Sequence, residues 1–127
     1  MIRVFVYGSL MSGLSNHIYM KRAGGVFIAE DTINATLHAY CPYFPAVTIS
    51  DDEVKGEVYE IPNSGLKVLD RLEGEGVLYK RVTLTTLKGE EVEVYVMEEE
   101  DCADAKMIVS GDWRAYFAEN PPSARRR

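Results

Sequence analysis

Apolar and polar positions alternate in different rhythms along this chain. At the N-terminus Val4, Phe5 and Val6 form an unbroken apolar run, the pattern of a strand buried on both faces rather than one dividing core from solvent. The run stops at once in the stretch YGSLMSG. There Gly8 and Gly13 permit close backbone approach or positive φ, while Ser9 and Ser12 add small hydrogen-bonding groups. By itself this is a plain strand-to-helix connection, built on a rigid base.

Ser15 and Asn16 then predict the cap of a short helix running to about Arg22 and ended by Gly24 and Gly25. Between Val26 and Tyr40 the stretches VFIAE and INATLHAY read as two strands or one bent strand, and Pro42 and Pro45 break the regular pattern after Tyr40. AVTI at 46–49 reads as a short strand, Asp51-Asp52 as a turn, and VKGEVYEI at 54–61 as an alternating strand of a mixed sheet. Pro62-Asn63-Ser64 starts a second helix that GLKVLDRLEG carries to Gly74. YKRVTLTTL and EVEVYVM, joined by Lys88-Gly89-Glu90, form an antiparallel hairpin. An acidic stretch, Glu98–Asp101, separates the hairpin from a last region, ADAKMIVSGDWRAYF, helical at its end. Strands outnumber helices and are joined mostly by short turns, so the fold class is α+β, with a twisted sheet curling toward a small mixed β-barrel flanked by short helices.

Composition narrows the function classes. A chain of 127 residues fits one domain, taken as 1–120, with 121–127 as a disordered basic tail. No apolar run approaches the roughly 18 residues of a membrane span, and the start of the chain does not read as a signal peptide, so a cytoplasmic location is the expectation. Formal charge is −6, and the only basic cluster is Arg125–Arg127. Nucleic-acid binding through counterion release needs a basic face that is missing here. Cys41 and Cys102 form no CxxC, His17 and His38 have no ligand spacing, and neither a GxSxG elbow nor the GK[ST] of a P-loop occurs. Neither metal nor cofactor is indicated.

One carboxylate breaks the pattern. In the second helix Leu66, Leu69 and Glu73 stand at i, i+3 and i+7, which puts the carboxylate on the same side as two core leucines. Desolvation and the negative end of its own helix would both raise its pKa toward neutrality, where it can exchange protons. The competing reading has Glu73 at a frayed helix end, turned outward or paired with Arg71 or Arg81. Glu75 comes after the presumed cap Gly74 and reads as solvated. Tyr79 and Arg81, two apart on the next strand, share a face and line the same space, unless Tyr79 is core and Arg81 a sheet-edge ion pair.

VFVYGSL, VKGEVYEI, LDRLEGEGVLYKR and VEVYVM, in that order from residue 4 to 97, resemble the gamma-glutamylcyclotransferase-like superfamily, and within it the gamma-glutamylamine cyclotransferase type. SGDW at 110–113 is similar to short bacterial and archaeal members. The resemblance implies a small β-barrel with a cavity at the YGSL loop. That loop, Tyr7, Gly8, Ser9 and Leu10, would hold the glutamyl group through its backbone, with Tyr79 beside it and Glu73 as acid/base. It implies a small-molecule γ-glutamyl substrate and a chain acting as monomer or weak homodimer, without nucleic acid or membrane partners. An aromatic residue that assists the substrate in some larger members has no match here. The alternative is a non-catalytic small-ligand module of the same fold. An interaction domain using the 98–101 acidic stretch rests on charge alone.

Overall fold

The computed structural model describes residues 1–122. Arg125–Arg127 and most of the expected tail therefore lie outside the described residues. Ten elements occur in the order β1 (Ile2–Val6), α1 (His17–Arg22), β2 (Val26–Ala39), β3 (Ala46–Ile61), α2 (Asn63–Glu73), β4 (Lys80–Thr85), β5 (Glu91–Val96), a 3-10 turn (Glu99–Cys102), β6 (Lys106–Met107) and α3 (Trp113–Glu119). The six strands form one mixed sheet in the order β4-β5-β1-β3-β2-β6, and it curls into a half-barrel. Strand β1 is central: it runs antiparallel to β3 and parallel to β5. Val4, Phe5 and Val6 are buried, as their unbroken apolar run requires. No helix among the described residues is long and apolar enough to cross a membrane.

The two candidate strands at 26–40 are one bent strand, β2, and its partner β3 is longer than its sequence suggests. Asp51-Asp52 is not a turn. The register steps from Asn34↔Glu53 to Ala35↔Ile49, so Ser50, Asp51 and Asp52 are extra residues bulging within a continuous strand. Long-range bonds hold the bulge: the Thr36 hydroxyl meets Ser50 Oγ at 2.7 Å and donates to Asp52 Oδ2 at 2.9 Å. Alternation along β3 also fails at Glu57, which is as buried as its apolar neighbours Gly56 and Val58.

Helix α2 covers the sheet with Gly65, Leu66 and Leu69 and ends at Gly74 in the left-handed region. Arg81, on β4, holds that end of the helix to the sheet. Its Nε donates to Asp70 Oδ1 at 2.8 Å, its Nη1 pairs with Glu93 of β5, and the Tyr95 hydroxyl donates to the same Asp70 oxygen at 2.8 Å. Asp70 lies one turn before Glu73, so this cluster sets where Glu73 sits.

Candidate active site

A cavity of about 160 Å³ opens where β1 ends, between the loop after it and the C-terminal end of α2. Tyr7, Gly8, Ser9 and Leu10 line it, as do Glu73 and Tyr79, so the fold brings the expected loop, carboxylate and tyrosine together. Arg81 does not line the cavity. Exposure alternates from buried Tyr79 through exposed Lys80 to half-buried Arg81, but Tyr79 is core and Arg81 is held in ion pairs with Asp70 and Glu93, the second of the two readings. Glu75 is exposed, as expected of a residue beyond the cap.

The inward phase of Glu73 holds, and neither proposed arginine partner reaches it. Among the described residues its carboxylate has no hydrogen bond or ion pair, because Arg81 is taken by Asp70 and Glu93. Burial without a compensating donor disfavours the charged form, and the carboxyl pKa rises to about 7. Desolvation is the cause.

Three phenols surround the carboxyl. The Tyr7 hydroxyl donates to Tyr95 O at 2.6 Å and the Tyr79 hydroxyl to Pro45 O at 2.7 Å. Burial pushes Tyr7, Tyr79 and Tyr95 well above the usual phenol range, reinforced by the Glu73 charge at all three and, more strongly, by the Asp70 carboxylate at Tyr95. All three are therefore neutral near pH 7, with their protons committed to protein acceptors. Glu73 is the group beside them that exchanges a proton at neutral pH.

The loop is built by short-range turns: Met11 N–H donates to Gly8 O at 3.0 Å, Leu14 N–H to Met11 O at 3.1 Å and Asn16 N–H to Ser9 O at 3.0 Å. The amides of Gly8, Ser9 and Leu10 have no acceptor among the described residues. Buried backbone donors are normally paired, so three consecutive unused ones in residues lining a cavity stand out. Gly8 serves close approach, not positive φ: a Cβ there would lie 2.8 Å from Pro45 Cδ. Gly13, at φ +79°, supplies the left-handed turn.

Several cavity residues were invisible as such in the sequence. Asn16 stands at the helix α1 N-cap, yet its side chain makes no cap; its Nδ2 instead donates to Ser9 Oγ at 2.9 Å and ties the loop. Phe44 and Pro45 come from the β2–β3 connection and Tyr95 from β5. The two prolines that mark this connection as a break are the only signal, and they do not reveal that it forms a wall. His17 and His38 are apart, as their spacing suggests: His17 Nδ1 bonds Leu10 O at 2.9 Å and His38 Nε2 meets Thr48 Oγ1 at 2.9 Å. Among the described residues no three His, Cys, Asp or Glu side chains are grouped to hold a metal ion.

Comparison with known proteins places the chain in a family. The family described as gamma-glutamyl cyclotransferase, AIG2-like, matches residues 4–115. The chain belongs to this family. A Methanocaldococcus jannaschii protein provisionally named a gamma-glutamylcyclotransferase is 34% identical over 119 residues, covering 89% of this chain and 96% of the relative. The Escherichia coli K12 gamma-glutamylcyclotransferase family protein YtfP is 32% identical over 112 residues, covering 88% and 96%. Among solved structures, a uropathogenic E. coli-specific protein superimposes with TM-score 0.79 at 25% identity, covering 92% of this chain and 95% of that one. An AIG2-like protein of Mus musculus, at TM-score 0.77, 21% identity and coverage of 89% and 88%, shares the cyclotransferase fold.

Proposed function

We propose that this family member is a cyclotransferase acting on γ-glutamyl amines or peptides, releasing 5-oxoproline and a free amine, with Glu73 as acid/base. The observation that carries the reading is an unpaired carboxyl with a pKa of about 7 in a cavity whose loop offers three unused amides. A γ-glutamyl compound contains its own nucleophile. The α-nitrogen attacks the γ-carbonyl carbon, a five-membered lactam closes, and the bond from that carbon to the leaving nitrogen breaks.

Proton traffic balances through one group. From the ammonium form the attacking nitrogen loses two protons and the leaving nitrogen gains two; Glu73, entering ionised, accepts them one at a time, passes each on to the leaving nitrogen and ends ionised. A carboxyl near 7 is a stronger base than an ordinary carboxylate, which shortens the uphill transfer from an α-ammonium. Folding the substrate into attack geometry supplies much of the rate, since oriented intramolecular reactions have high effective concentrations. The amides of Gly8, Ser9 and Leu10 are suited to the substrate carboxylate or to the oxyanion formed at the γ-carbonyl. Tyr7 and Tyr79 shape the cavity and offer their oxygen lone pairs as acceptors.

Incubating the protein with a panel of γ-glutamyl amines and amino acids in ¹⁸O-water, with mass spectrometry of the products, tests this. The expected product is 5-oxoproline without solvent oxygen, and N-acetylated substrates should bind without reacting. Glutamate carrying ¹⁸O would instead identify a hydrolase, and absence of any product across the panel would favour a binding module of the same fold.

A further inference from the structure

Another carboxylate, Glu57 on β3, is buried outside the cavity and takes no part in the proton transfers. Glu57 is only 3% exposed, an unfavourable place for a charge unless donors replace the lost water. Four do so: Ser12 N–H to Oε1 and Ser12 Oγ to Oε2, both at 2.8 Å, the Tyr59 hydroxyl to Oε1 at 2.9 Å and Arg114 Nη2 to Oε2 at 3.2 Å. These bonds outweigh the desolvation and hold its pKa below the ordinary value.

The groups that Glu57 grips matter more than its charge. Ser12 belongs to the loop that lines the cavity, and all of its polar groups are engaged: N–H and hydroxyl by Glu57, and the carbonyl by Arg114 Nη2 of α3 at 2.7 Å. A neighbouring turn bond, Met11 N–H to Gly8 O, joins Ser12's immediate neighbour to the first acceptor-free amide residue. A second route reaches the same loop. The Tyr59 ring, whose hydroxyl bonds Glu57, packs against His17 with centroids 5.7 Å apart, and His17 Nδ1–H donates to Leu10 O at 2.9 Å.

We infer that Glu57 is a positioning residue for the candidate site, fixing through Ser12 and through Tyr59–His17 the loop path that keeps the Gly8, Ser9 and Leu10 amides free for substrate. The inference rests on the cyclotransferase reading only for the ligand those amides bind. Arg114 extends the same latch to α3, so the C-terminal helix and the cavity loop are held by one carboxylate.

Glu57→Gln keeps the volume but turns an N–H₂ toward groups that are themselves donors. Amide hydrogen exchange of the ligand-free protein, resolved by residue, should rise about tenfold or more at Met11, Ser12, Leu14 and Asn16, whose N–H groups carry the hydrogen bonds of the loop, as loss of a charged hydrogen bond predicts, while Val4–Val6 and Leu66–Leu69 stay at wild-type rates. With γ-glutamyl methylamide as probe, KM should rise more than kcat falls, and the N-acetylated probe should bind correspondingly more weakly. Ser12→Ala and Arg114→Met, at exposed and half-exposed positions, should give smaller changes in the same segment and serve if Glu57→Gln does not fold. Unchanged exchange in the loop, or a rise spread evenly over the chain, would overturn the inference. If the wild-type protein turns over no γ-glutamyl compound, the cyclotransferase reading falls, whereas the exchange pattern still decides the role of Glu57.

Discussion

Glu73, half-buried, and Glu57, buried, are both desolvated carboxylates, and they end in opposite states. Glu73, at the end of α2, meets no donor among the described residues, and desolvation lifts it to about 7. Glu57, inside β3, is also desolvated, yet hydrogen bonds from Ser12, Tyr59 and Arg114 more than compensate and lower its pKa. Burial alone therefore does not decide the role of a carboxylate; the donors that accompany it do. One arrangement leaves a proton carrier, the other a fixed anion that organises backbone. The two also pull stability in opposite directions with pH. Glu73 binds a proton more tightly folded than unfolded, so its contribution is greatest below about 4.5 and is lost as pH rises through about 7. Glu57, with a lowered folded pKa, contributes above its ordinary value and loses that contribution as pH falls through the folded one.

The sharpest way to break this contrast is Glu73→Gln. Turnover should drop by roughly 10²–10⁴-fold, the range of a lost general acid/base, while the N-acetylated substrate still binds in a calorimeter. Wild-type rates in this variant would remove Glu73 from the mechanism. The same variant should be more stable than wild type at pH 8 by on the order of 2–3 kcal/mol, since it deletes the cost of ionising a buried group. That advantage should vanish below about pH 4.5, as followed by chemical denaturation across pH.

Next in size is Gly8→Val, whose Cβ would press on Pro45 and cost about 1–3 kcal/mol of strain, read as weakened binding of the N-acetylated substrate in a protein that still folds. Ser9→Ala removes only the oxygen that accepts from Asn16 and should weaken binding less. Smallest of all, Glu75→Gln should leave activity near wild type, because this carboxylate is exposed beyond the Gly74 cap. Equal losses in Glu75→Gln and Glu73→Gln would mean that helix phase picked out the wrong carboxylate.

Features set by local periodicity were readable in advance. The phase of Glu73 is dictated by Leu66 and Leu69 on one helix, and Gly74 marks where that helix stops. The buried run Val4–Val6 and the β4–β5 hairpin are equally local patterns. The features that could not be read depend on partners far along the chain. Ser50-Asp51-Asp52 bulges instead of turning because Thr36, on the neighbouring strand, bonds two of its side chains. Spacing leaves two readings for Tyr79 and Arg81, and Asp70 on α2 together with Glu93 on β5 decides between them by taking Arg81 into ion pairs. Glu57 sits in a stretch that reads as an ordinary alternating strand, and its donors come from 45 and 57 residues away as well as from Tyr59. Phe44 and Pro45 become a cavity wall only once β2 and β3 are paired.

The most direct test is to titrate the two carboxyls in the ligand-free protein by ¹³C NMR of side-chain carboxyl-labelled glutamate, assigned with Glu73→Gln and Glu57→Gln. Glu73 should titrate with a midpoint of about 7 and Glu57 below the ordinary glutamate value, with the pH dependence of 5-oxoproline release tracking the first. A Glu73 midpoint near 4.5 would show a solvated carboxylate like any other and would contradict its role as the proton carrier of this cavity.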